Sequence, residues 1–138
     1  MQTKFPRFQE ILIPILRRGL PDNVKVGSWI EDIDYREYPI VNVRRVGGPR
    51  SSKQPFLMDS PTVEITAYHS DGIIEAEELY AKCVDIIFRA HDEQWLTDAG
   101  YISHVEERMG MTQFSSLFQD SWRIQGLIAI TVRPPRKD

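Results

Sequence analysis

Three histidines, a single cysteine, two Glu-Glu pairs and one glycine-rich turn are the parts of this chain whose residue types could do chemistry. His69, His91 and His104 stand 22 and 13 residues apart, on an expected strand end, a helix end and a strand. Neutral imidazoles ligate metal when they converge at short helical or strand spacing, and neither HxH nor HExxH occurs here. Cys83 would be a nucleophile only beside a cation or a helix N-terminus. Its neighbours Leu79, Tyr80 and Ile87 instead make it a small buried hydrophobe on an apolar helix stripe. One cysteine also excludes an intrachain disulfide and any multi-cysteine zinc or iron-sulfur centre.

Paired carboxylates can divide acid and base roles. Glu106 and Glu107 are adjacent on a strand, so they point to opposite faces. Glu75, Glu78, Lys82 and Asp85 share one side of a helix, where a hydrated charged face is the simplest reading. The turn Gly47-Gly48-Pro49-Arg50-Ser51-Ser52-Lys53 lacks the GxxxxGK[ST] spacing, and no helix start follows to aim N–H donors at a phosphate. It reads as a protruding loop of the kind that makes protein contacts. No catalytic residue, cofactor or metal site is therefore expected, and the chain is not expected to be an enzyme.

The elements that would carry these residues are readable. The chain has 138 residues, 41% apolar and 27% charged, which suits one core and one domain spanning residues 1–138. Phe8, Ile11, Leu12, Ile15 and Leu16 predict a helix from Phe5 to Arg18, capped by Thr3 with Pro6 in its first turn, ended by Gly19, and bent or split at Pro14. Val24–Ile30 and Ile40–Val46 read as short strands, separated by a charged connector over residues 31–37. Residues 47–60 form a long polar loop. Thr62–His69 alternates as a strand, with Val63, Ile65 and Ala67 facing the core.

Ser70-Asp71-Gly72 offers a cap, and Ile73 to about His91 is the clearest helix. Ile102–Gln113 and Trp122–Val132 read as a closing pair of strands. On the second, Trp122, Ile124, Ile128, Ile130 and Val132 share a face that Gly126 interrupts, which predicts a bulge or close backbone contact. Residues 133–138 are expected to form an extended basic tail. The order predicts an α+β fold: a mainly antiparallel sheet with two helices packed on one face.

Charge is segregated along the chain. Residues 71–107 hold ten acids and two bases, a net −8, whereas residues 36–53 carry +4 and residues 108–138 carry +3, within a total of −3. That total gives no basis for a general nucleic-acid binder, and no helix presents a basic recognition face. The longest early apolar run, Ile11–Leu16, falls far short of the roughly 20 residues of a membrane span. A soluble protein made in the cytoplasm is expected.

In size, element order and texture the chain resembles the tail terminator proteins of long, non-contractile-tailed (siphovirus-type) bacteriophages. The resemblance rests on the first helix, the β pair split by the loop from Val46-Gly47-Gly48-Pro49 to Met58-Asp59, the strand Pro61–Tyr68, the helix Ile74–Ala90 and the closing hairpin. It implies a structural virion protein at the neck end of the tail, assembled in the host cytoplasm. Such a protein forms a ring, usually a hexamer, that halts tail-tube polymerisation and joins the tail to the head-side connector. Its partners would be copies of itself, the major tail tube protein and the connector or stopper, with genomic DNA passing through the lumen unread. A neck protein of another kind, a stopper or adaptor, is the alternative in the same class, and a small ligand-binding module or enzyme is the alternative outside it.

A ring needs two different complementary patches on each subunit. The candidates are Arg44, Arg45, Arg50 and Lys53 on one side and Glu75, Glu78 and Asp85 on the other, which would make the oligomer sensitive to salt.

Overall fold

The computed structural model describes residues 7–28, 37–116 and 121–135. The elements are α1 (Phe8–Gly19), β1 (Lys25–Gly27), β2 (Ile40–Arg45), β3 (Thr62–His69), α2 (Ile73–Asp92), β4 (Tyr101–Phe114) and β5 (Trp122–Arg133). The strands form one sheet in the order β1-β2-β3-β5-β4, with β1 parallel to β2 and every other pair antiparallel. This is the expected α+β architecture in a single compact domain. The expected cap Thr3, Pro6, Trp29 and Ile30, connector residues 31–36, hairpin residues 117–120 and tail residues 136–138 lie outside the described residues.

One face of the sheet is the core. Across it run the rows Val41–Ala67–Ile124 and Val43–Ile65–Gly126, followed by Val63–Ile128, Val105–Ile130 and Ile102–Val132. The apolar stripe of α2, from Ala76 through Leu79, Tyr80, Cys83 and Ile87 to Ala90, is buried in the same cluster as these strands. Apolar burial of this kind is the main stabilising term of the fold. α1 adds Phe8, Ile11, Leu12, Ile15 and Leu16 to that cluster.

Gly126 makes room for Tyr80. It is the one residue without a side chain in its row, and a Cβ built there would overlap the Tyr80 hydroxyl and stand 2.8 Å from the Met109 carbonyl oxygen. The expected close contact is thus made by an aromatic side chain of α2. The register shifts of the hairpin fall on the partner strand, between Ile102 and His104, Glu107 and Met109, and Met109 and Thr112.

Several details depart from the sequence expectation. α1 is not split at Pro14: it is one helix from Phe8 to Gly19, with buried residues on both sides of the proline anchoring both halves while Pro14 itself is exposed. The N-cap of α2 falls on Gly72, within the expected Ser70-Asp71-Gly72 segment, and no side chain caps the helix. Asp71 instead donates its backbone N–H to His69 Nδ1 at 3.1 Å. Trp122 does not join the core row. It is 42% exposed at the first residue of β5, opposite His69.

Residues 47–60 form a built arm rather than a loose loop. Val46 donates to the Thr62 carbonyl at 2.8 Å while Thr62 donates to Gly47 at 2.9 Å, so two residues face one. That bulge, with φ of 120° at Gly47 and 91° at Gly48, shifts the β2–β3 register by one residue. The shifted ladder then continues through Ser60 to Pro49 and Ser51 to Met58, at 3.2 Å each. On its other side the arm extends the β3–β5 ladder, since Asp59 and Val132 exchange both backbone bonds, at 3.1 and 2.8 Å.

Candidate assembly surfaces

The two ends of the β2–β3 pair carry different surfaces. β2 runs from Ile40 to Arg45 and β3 returns from Thr62 to His69, so the arm projects from one end while Pro39 and His69 mark the other.

At the arm end, Arg45 grips Asp59 with bonds of 2.6 and 2.9 Å and also donates to the carbonyls of Gly47 and Gly48, at 3.0 and 2.6 Å. Asp59 is the one buried acid among the described residues, 7% exposed. Gln54 accepts from Arg133 at 3.1 Å and takes a backbone turn bond to Ser51 Oγ at 3.0 Å. These contacts hold a tip formed by Pro55, Phe56 and Leu57 away from the core. Phe56 is 71% exposed, the most of any large apolar side chain among the described residues, and Leu57 is 51% exposed.

Arg50 and Lys53 flank that tip, both exposed and with no ion pair to another described residue. Gly48 is packed against the Ser60 carbonyl and the Thr62 amide, so the glycine turn closes a ladder and offers no cradle to a phosphate.

At the opposite end, a groove of about 500 Å³ runs between α2 and the turn after α1. Its apolar lining comes from Pro21, Val24, Pro39 and Leu79, of which Pro39 and Leu79 are buried, and Glu75, Glu78 and Asp85 share the lining with His69 and one lysine, Lys82. The acidic helix face is therefore the wall of a concave site.

The seven candidate residues thus divide. Glu75, Glu78 and Asp85 are brought together at the groove, and Arg50 and Lys53 on the arm. Arg44 and Arg45 are engaged within the subunit, Arg44 with Glu64 at 2.9 Å and Arg45 with Asp59. The Glu64 hydrogen bond and charge raise the pKa of the Arg44 guanidinium. Phe56, Leu57 and Asp59 were not among the candidates, although an apolar pair after a proline inside a polar segment is a signal that could have drawn notice.

A second groove, about 700 Å³, lies between α1 and residues 95–99, near the arm end. Arg18 stacks 3.9 Å from the centroid of Trp95, whose indole N–H donates to Glu93 at 3.1 Å, and Arg89 binds the same carboxylate at 2.7 Å. The Arg89 and Trp95 bonds lower the Glu93 pKa. Its charges are mixed, from Glu10, Arg18 and Asp98.

The remaining chemical candidates stay apart. Each histidine has its own acid: His69 by Asp71 at 3.9 Å, His91 by Asp92 at 3.0 Å and His104 by Glu106 at 4.0 Å. Among the described residues no three His, Cys, Asp or Glu side chains gather in a group able to hold a metal ion. Cys83 is fully buried, and burial pushes its thiol up to about 12. Among the described residues no helix is long and apolar enough to cross a membrane.

Residues 4–138 match the family described as phage tail termination protein. The chain is 48% identical over 135 residues to the Gene 22 protein of Mycobacterium phage L5, with 97% of each chain covered. It is 49% identical over 132 residues to the Gene 22 protein of Mycobacterium phage D29, with 95% of each covered.

Proposed function

The chain belongs to the phage tail termination protein family and is a structural protein of the phage tail; on that premise we propose that it closes into a ring on the end of the tail tube, stops tube growth and presents the joining surface for the head-side connector. The ring is a hexamer assembled in the host cytoplasm, with DNA passing through its lumen unread. The neck end of the virion tail is its place.

One observation carries this reading. The cationic arm and the acidic groove lie at opposite ends of one strand pair. A patch that cannot meet its complement on the same subunit is satisfied by the next copy, and a head-to-tail contact whose rotation closes makes a ring. The interface residues proposed are Arg50 and Lys53, with Arg44 and Arg45 behind them, against Glu75, Glu78 and Asp85. A single domain over residues 1–138 would supply both surfaces to the ring.

Light scattering at low and high salt tests the assembly. A ring of defined mass that loosens as salt screens the arm and groove supports it. A monomer at every concentration and with tail tubes present would count against it. Binding to the head-side connector without binding to tube ends would move the assignment to a stopper or adaptor.

A further inference from the structure

We infer that the tip of the 47–60 arm is the anchor of the subunit contact: Phe56 and Leu57 of one copy enter the α2 groove of a second copy, with Arg50 and Lys53 meeting Glu75, Glu78 and Asp85 of its lining. This rests on the ring assignment and adds to it the apolar element that decides affinity.

Three features lead there. The tip exposes two large apolar side chains on a segment that is pinned in place by Arg45, Asp59 and Val132. A rigid protrusion loses little conformational freedom on docking, so more of its contact energy appears as affinity. An exposed Phe-Leu pair on a fixed arm has no function in the subunit's own core, and a pocket-filling aromatic is the usual centre of an interface.

The groove matches that tip in both respects. Pro21, Val24, Pro39 and Leu79 give it apolar lining, and the same lining carries three acids to one lysine. The arm's two cations are thus aimed at an opposite field. The second groove lacks this match, because its lining mixes Glu10 and Asp98 with Arg18 and the site lies at the arm's own end of the subunit.

Length decides between self-docking and docking to a neighbour. β3 has eight residues between the arm and His69, about 25 Å at the strand rise. The arm ladder runs away from the groove, so its tip cannot turn back to the groove of its own subunit. The occupant is a second copy, and the contact is heterologous.

Two variants test this together. Phe56→Asp with Leu57→Asp spoils the arm, and Glu78→Lys with Asp85→Lys spoils the groove. All four positions are exposed, and circular dichroism melts verify that each variant folds. Each alone should associate at least about 30-fold more weakly than the unaltered chain, the loss expected for a central anchor. Mixed in equal amounts they should form a heterodimer and stop there, since one intact arm and one intact groove remain between them.

Variants that assemble like the unaltered chain would overturn arm docking and leave the ring standing. So would a mixture that stays monomeric while the unaltered chain forms rings. An unaltered chain that is monomeric even with tail tubes would overturn the ring and the arm contact together.

Discussion

Arg45 and Asp59 face each other across the root of the arm, joined by two hydrogen bonds of 2.6 and 2.9 Å, while Asp59 is also bonded through its backbone to Val132. The pair is asymmetric. The Asp59 side chain is 11% exposed and that of Arg45 is 37% exposed. Removing the arginine strands a buried carboxylate, whereas removing the acid lets the guanidinium turn to water. Arg45→Ala should cost about 2–3 kcal/mol and Asp59→Ala about 1–2 kcal/mol in chemical denaturation. The reverse order would contradict the burial argument. Both should weaken assembly more than they weaken the fold, because the arm loses its fixed position.

Tyr80 and Gly126 form a second dependent pair. The Tyr80 hydroxyl is buried without a hydrogen-bond partner among the described residues, and burial pushes its pKa up to about 12. Tyr80→Phe removes an unsatisfied group and should be neutral or stabilising, within about 1 kcal/mol. Gly126→Ala forces the tyrosine and the Met109 carbonyl aside and should cost about 2–3 kcal/mol. Combining the two should recover part of that loss in thermal melts. Additive behaviour would show that the overlap with Tyr80 is not what glycine relieves.

The same burial makes stability depend on alkaline pH. Cys83 and Tyr80 both have folded pKa values raised to about 12, against unfolded values of about 8.5 and 10. Between those limits the unfolded chain has lost protons that the folded chain keeps, so stability falls as pH rises. The slope approaches about 1.4 kcal/mol per pH unit for each group ionised only when unfolded. Denaturation midpoints from pH 8 to 11 check this, with Cys83→Ala and Tyr80→Phe each flattening the decline. A disulfide-exchange reagent should label the native thiol only as fast as the protein opens.

Pro14 is exposed within α1 and lacks the N–H that would bond the Glu10 carbonyl. Pro14→Ala should restore that bond and stabilise by about 1 kcal/mol or more. An unchanged or lower melting temperature would mean that the helix has adapted to the proline.

What could be read from the chain was what local periodicity encodes. The alternation of Val63, Ile65 and Ala67 and the stripe from Ala76 to Ile87 placed β3 and α2, and the uneven charge placed the acids of the future groove on one helix face. What could not be read depends on distant partners. The order of the arm comes from Asp59 meeting Arg45 and Val132, 14 and 73 positions away in sequence. Local composition there, rich in Gly, Ser and Pro, describes only a loop. Likewise Pro14 is carried by core contacts made on either side of it, and Tyr80 finds Gly126 only once the sheet has formed. Charge counts pointed to Arg44 and Arg45 as surface cations, and only the fold reveals that each already has an acid.

Tail-tube growth measured by electron microscopy, with and without this protein, tests the central claim most directly. The account predicts tubes of shorter, stable length, each bearing a ring of this protein on one end, and unrestrained growth when Phe56 and Leu57 are replaced by aspartate. Tubes that lengthen equally in its presence, with no density at either end, would contradict it.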